Sequence, residues 1–100
     1  MLREEVKIVI SLLRSLQYDY VGRSTKPRSY WLYGNGNIGV RTPDNRFIEI
    51  IDDPRTPEVT VELLVSGIHR LSIDLHSPDS ISELVELFSD RSIYVEIDQK

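Results

Sequence analysis

The residues best equipped for chemistry are two histidines and the carboxylates near them. His69 and His76 lie seven positions apart. An odd separation throws them onto opposite faces of one strand, so they cannot share a metal ion. His69 falls on the inward row and is expected to be partly buried and hydrogen-bonded. His76 shares its face with Asp74, and a three-residue hairpin loop before this strand sets Asp74 opposite Glu58. Two facing carboxylates beside a histidine can hold a divalent cation or raise a carboxyl pKa for acid-base work. The plainer reading of Glu58, Asp74 and His76 is a solvated strand end relieved by a cation such as Arg55.

Gly34-Asn35-Gly36-Asn37-Ile38-Gly39 matches G-x-G-x-x-G. The dinucleotide form needs a helix to follow, whose amino end meets the pyrophosphate, and here a strand and then Pro43 follow. The protein-kinase form wants valine two places after the last glycine, where this chain has Arg41. A hairpin turn accounts for these glycines. No G-x-S-x-G, H-E-x-x-H, P-loop or calcium-loop pattern occurs, and there is no cysteine. Most constellations of nucleophile, base and orienting group therefore lack parts. Enzyme is the least supported class, and neither a cofactor nor a bound metal is expected.

A stronger surface comes from Tyr30, Arg41 and Arg46, with Arg23, Lys26 and Arg28 in the loop leading to them. Asn35-Gly36 reads as a two-residue type I′ turn, which pairs Tyr30 with Arg41, Trp31 with Val40 and Tyr33 with Ile38. A four-residue loop from Thr42 to Asn45 then pairs Arg41 with Arg46 and Val40 with Phe47. In these registers Tyr30, Arg41 and Arg46 lie side by side on the water-facing side of the sheet, and Trp31 lies beneath them in the core. Tyrosine and arginine are enriched at protein interface hot spots. Rings beside guanidinium groups also suit single-stranded nucleic acid, which needs stacking platforms and phosphate partners. The plain alternative is an exposed sheet face with a cation-π pair.

The elements that must position these residues follow from periodicity. Residues 2–17 form an amphipathic helix with Leu2, Val6, Val9, Leu13 and Leu16 along one seam, widened by Ile8, Ile10 and Leu12. Residues 18–28 are a polar, basic loop interrupted by Gly22 and Pro27. The hairpin occupies Ser29 to Thr42, a strand follows from Arg46 to Ile51, and residues 52–57 connect. Glu58 to Val65 and Ile68 to His76 alternate as strands. A three-residue loop, Val65-Ser66-Gly67, pairs Val61 with Leu71, Val59 with Ile73 and Glu62 with Arg70. Ser77-Pro78-Asp79-Ser80 starts a helix, with Ser80 and Glu83 as a capping box and Ile81, Leu84, Val85 and Phe88 as its apolar face. Ser92 to Asp98 alternates as a final strand.

The expectation is a single α+β domain in the order α-β-β-β-β-β-α-β. Its sheet is mainly antiparallel, of five to six strands, with both helices packed on the Trp31 face. One hundred residues suffice for one core, and the 40% hydrophobic fraction contains no alanine, so it is almost all branched and aromatic. No apolar run approaches a membrane span, and the acidic pair near the start is unlike a signal peptide, so the chain is expected to be cytoplasmic and soluble. The net charge of −4 argues against a polybasic protein. Basic residues dominate positions 20–48 and acidic residues 49–62, so a two-sided charge distribution is expected. An exposed sheet edge and the wide stripe of the first helix favour a homodimer. The leading function is a small intracellular protein-binding module of adaptor, inhibitor or immunity-like kind. Second is a single-stranded nucleic-acid-binding accessory protein using the same face. Third is a metal-assisted enzyme at Glu58, Asp74 and His76.

Overall fold

The computed structural model describes residues 3–22 and 26–89. It is an α+β domain with helices α1 (Glu4–Ser15) and α2 (Ser80–Leu87) flanking six strands in sequence. The strands are β1 (Asp19–Tyr20), β2 (Ser29–Leu32), β3 (Ile38–Arg41), β4 (Phe47–Ile51), β5 (Thr60–Val65) and β6 (His69–Asp74), and they lie side by side in that order. All pairs are antiparallel except β1 with β2. Strand β1 falls inside the stretch expected to be loop. The strand expected at Ser92 to Asp98 lies outside the described residues.

Both helices pack on one side of the sheet, as expected, and Ile38, Val40, Val61 and Leu63 face them as expected, but β2 and β4 turn their opposite rows inward, so Trp31 and Phe47 face away. The core joins Val6, Val9 and Leu13 of α1 and Leu84, Leu87 and Phe88 at α2 to Tyr30, Ile38, Val40, Ile48, Ile50, Val61, Leu63, Val65 and Ile73 of the sheet. Tyr30 is thus a core residue beneath α1, and Trp31 faces the other way. The cause is a one-residue slip in two hairpins, because side chains alternate along a strand and a single shift exchanges its faces. Tyr30 pairs with Val40 and Trp31 with Gly39, whereas Arg41 pairs with Phe47 and Val40 with Ile48.

Each slip comes from a left-handed residue closing a three-residue loop. At the first hairpin Gly36 has φ +94° and donates to the Tyr33 carbonyl, while the Tyr33 N–H reaches the Asn37 carbonyl at 2.8 Å. Asn35 is not in the left-handed region, so this is a type I turn with a glycine bulge instead of the I′ turn. The second hairpin repeats the pattern with Asn45 at φ +67°, donating to the Thr42 carbonyl. The β5–β6 hairpin keeps the expected parity but moves by two residues. Val61 opposes Ile73 instead of Leu71, and Glu62 opposes Ser72 instead of Arg70. Its loop is Ser66-Gly67-Ile68, with Ser66 and Gly67 both at positive φ.

Helix α1 buries Val6, Val9 and Leu13 as its spacing predicts, while Ile8 stays 46% exposed. Its first turn is tied to the start of β5. Arg3 donates to the carbonyls of Thr56, Pro57 and Thr60, and Glu5 accepts the Val59 N–H. Val59 sits at φ +55°, a strained value for a β-branched residue, so this anchoring bond supports an unfavourable backbone. Helix α2 does not form the capping box. Ser80 Oγ donates to the Ser77 carbonyl, and the buried face is Ser80, Leu84 and Leu87, with Ile81 exposed. Among the described residues, no helix is long and apolar enough to cross a membrane.

Candidate functional site

The six residues expected to form one contact surface do not come together. Tyr30 is 2% exposed, its hydroxyl accepting from Arg14 Nε at 3.1 Å and its ring tilted against Tyr20. Arg46 belongs to the turn before β4 and points toward the helix side. Its Nε contacts both oxygens of Asp44, and its Nη2 donates to the carbonyls of Leu87 and Ser89 at 2.8 and 3.2 Å. Arg28 donates to the Leu16 carbonyl at the end of α1. The last carbonyls of a helix have no partner within it and carry its negative dipole end, so both arginines cap the protein's own helices. Helix α2 has no basic residue in its own last turn. Arg46 supplies that charge from another element, and Tyr18 Oη adds a donor to the Phe88 carbonyl.

Lys26 is exposed ahead of β2, with its carbonyl accepting from Ser29 Oγ, and Arg23 lies outside the described residues. Of those described, Arg41 alone stands on the sheet face turned away from the helices. It does so beside residues the sequence had assigned to the core. The Trp31 indole lies across Gly39, so close that a methyl group on Gly39 would sit 2.3 Å from the ring. The indole stacks on Phe47 at 6.1 Å between centroids and 20° between planes, and Tyr33 meets it edge-on at 6.3 Å. The Arg41 guanidinium covers the Phe47 ring at 5.3 Å, within cation-π range. This is a continuous layer of three rings and one cation on a face to which neither helix contributes.

Two features of the layer bear on what it can do. The indole Nε1 of Trp31 and the Nε of Arg41 are both buried without a hydrogen-bond acceptor. A buried donor left unpaired costs about 1–3 kcal/mol, and most in native proteins find partners. Around the layer both signs of charge occur, Glu49 and Glu62 on adjacent strands and Arg70 beyond them. Asn37 donates to Glu49 at 2.8 Å, and Arg70 lies 3.5 Å from Glu62. The face is therefore mixed, and the two-sided distribution read from the charge runs is not what the folded sheet presents. At the hairpin end the layer continues through Tyr33 into an open groove of about 460 Å³, floored by Gly34 to Gly36 and walled by Arg3, Asp52 and Pro54.

The carboxylate and histidine group does not assemble as expected. In the shifted register Asp74 faces Thr60 instead of Glu58, and its Oδ1 accepts the backbone N–H of His76. Among the described residues no three acidic or histidine side chains stand close enough to hold a metal ion. His69 lies on the helix side at the strand's start and is exposed, not partly buried. Arg55 is engaged elsewhere. Its side-chain and backbone hydrogen bonds hold the Asp53 carboxyl below the usual carboxylate range, and its own pKa is raised by the same partner. Glu5 is also lowered, first by its own backbone N–H and then by that of Val59.

The glycine motif is a structural one: Gly36 supplies the left-handed turn and Gly39 the space under the indole. The signal for the aromatic layer was present in Gly39, since a glycine inside a strand often marks a place where another group approaches closely, here the Trp31 indole. Compared with known proteins, the chain matches no family model, no curated protein and no solved structure.

Proposed function

We propose that this chain is a small protein-binding module, of adaptor, inhibitor or immunity-like kind, that engages its partner through the Trp31–Phe47–Arg41 layer and Tyr33. The observation that carries the reading is the pair of buried donors without acceptors, Trp31 Nε1 and Arg41 Nε, within one stack on the side away from the helices. Trp31 is only 3% exposed and both atoms are closed off from solvent. A partner's carboxylate or main-chain carbonyl would reach them as the half-buried Arg41 and Phe47 side chains give way, and tryptophan, tyrosine and arginine are the residues most often central to such contacts. The mixed charges of Glu49, Glu62 and Arg70 around the layer suit the polar rim of a protein interface. They suit a nucleic-acid backbone less, because its phosphates need a run of one sign. Two of the cations that such a run would require, Arg28 and Arg46, are occupied by helix carbonyls. A cytoplasmic setting is part of this proposal.

The chain has one tryptophan, so its fluorescence reads the layer directly. Proteins from the native host captured by the chain and crosslinked to a photoreactive residue at Tyr33 are expected to perturb that emission when purified and titrated. Arg41→Ala should weaken such binding about 10- to 100-fold, the range of an interface hot spot, without altering circular dichroism. Equal retention of the same proteins by wild type and by Arg41→Glu would remove the reading. A single-stranded oligonucleotide that quenches Trp31 and is released by moderate salt would transfer the face to nucleic acid.

A further inference from the structure

The two edges of the sheet are built differently. Strand β1 is two residues long, whereas β6 pairs with β5 through six consecutive residues and presents a regular outer edge free of proline. Natural edges are usually blunted by shortness, proline, bulges or lysine, and β1 follows that rule while β6 does not. The Leu75 N–H donates to the Val59 carbonyl, and this fixes the hydrogen-bonding phase of the β5–β6 ladder. His69, Leu71 and Ile73 therefore direct their backbone groups to β5, and Arg70, Ser72 and the Asp74 N–H point outward, the Asp74 carbonyl accepting the Ser77 N–H at 3.0 Å. Among the described residues no strand pairs with that outer edge.

We propose that β6 pairs antiparallel with β6 of a second copy of this chain, about a twofold axis through Ser72, so that the two six-stranded sheets become one. Charge selects this register from its neighbours. With Ser72 opposite Ser72, Arg70 of each copy faces Asp74 of the other, and Leu71 faces Ile73 on the helix side. Shifting the axis to Leu71 sets Arg70 against Ser72 and Asp74 against Ile68. Centring it on Arg70 or on Asp74 opposes like charges, which directly across a ladder destabilises pairing. The Ser72 register alone joins both opposite charges and both apolar residues. It also pairs only the backbone groups that point outward: Ser72 exchanges two bonds with its counterpart, and each Asp74 N–H meets an Arg70 carbonyl. The axis is normal to the sheet, so the helices of both copies stay on one side and both aromatic layers stay on the other. Arg70 is 61% exposed in its side chain and keeps Glu62 as a diagonal neighbour, so it can serve both carboxylates.

The test uses charge reversal and a cysteine on the axis, with the full chain. Sedimentation should show a dimer whose Kd rises about tenfold or more in Arg70→Asp and in Asp74→Arg, and returns to within about threefold of wild type in the double swap. Because the chain lacks cysteine, Ser72→Cys reports one position alone. Facing residues of a hydrogen-bonded pair are about 5.5 Å apart at Cα, within disulfide reach. That variant should form an intermolecular disulfide under mild oxidation, and Ser11→Cys, on the exposed side of α1, should not. A chain that stays monomeric at high micromolar concentration overturns the proposal. So does a dimer indifferent to both reversals, or a Ser72→Cys variant whose thiol stays reduced because residues 92–98 of the same chain occupy the edge.

Discussion

The two faces of the sheet solve different problems with the same strands. On the helix side, Ile38, Val40, Ile48, Ile50, Val61 and Leu63 are fully buried under aliphatic residues of both helices. On the other side the rows carry Trp31, Arg41, Phe47, Glu49, Glu62 and Arg70, and two polar atoms remain without partners. The first face is closed by aliphatic packing. The second keeps unused hydrogen-bonding capacity at Trp31 and Arg41, and under the proposed function the contrast divides stability from recognition.

That division makes unequal predictions for substitutions on the two sides. The largest effect should come from Leu13→Ala, which empties a fully buried site under α1. It should cost about 2–5 kcal/mol in chemical denaturation while leaving the aromatic layer's partner binding unchanged per folded molecule. Gly39→Ala should cost less, about 1–3 kcal/mol, because the new methyl displaces one ring instead of opening a cavity. Its signature is a red-shifted Trp31 emission, and an unshifted spectrum would show that the indole does not depend on that glycine.

The smallest effect concerns the joint between the faces, where Glu5 of α1 accepts the Val59 N–H at the start of β5. The Glu5 carboxyl is lowered in the folded state, so its contribution is present above the ordinary glutamate pKa and lost as pH falls through the folded value. Glu5→Gln should lower the neutral plateau slightly, flatten the acid limb of the stability profile below pH about 4.5 and converge on wild type in acid. A limb of unchanged steepness would mean that Glu5 does not couple to folding.

The elements were legible in the sequence to the extent that their patterns were internally redundant. Val6, Val9 and Leu13 repeat at helical spacing, and Val61, Leu63 and Val65 alternate without interruption, so a local error could not hide them. The faces of β2 and β3 were not redundant. Both Tyr30 and Trp31 are large and ring-bearing, and both Gly39 and Val40 are apolar or small, so alternation does not choose between them. The choice fell to the turn, and Asn-Gly serves equally as the centre of a I′ turn or as the last two residues of a bulged loop. One dihedral at Asn35 decides which. Pro43-Asp44-Asn45 carried the clearer hint, since asparagine tolerates the left-handed position that a bulged loop requires.

The arginines misled for a different reason. Sequence counts charge but does not show which carbonyls end a helix near it, so Arg28 and Arg46 were indistinguishable from Arg41 until the helices were placed. Strand β1 was missed because two residues carry no period, and its bonds come from a loop returning alongside β2.

The carbonyls at the end of α2 are held by Arg46 and by Tyr18, side chains 41 to 70 positions earlier in the chain. A helix of eight residues with no side-chain bond at its N-cap and no basic residue in its last turn gains little from forming alone. Its last turn is braced by the second hairpin through Arg46 and by the residue after α1 through Tyr18. Loosening either the second hairpin or the α1 end should therefore be felt at the closing segment of the described chain, which the sheet and the first helix clasp from both sides.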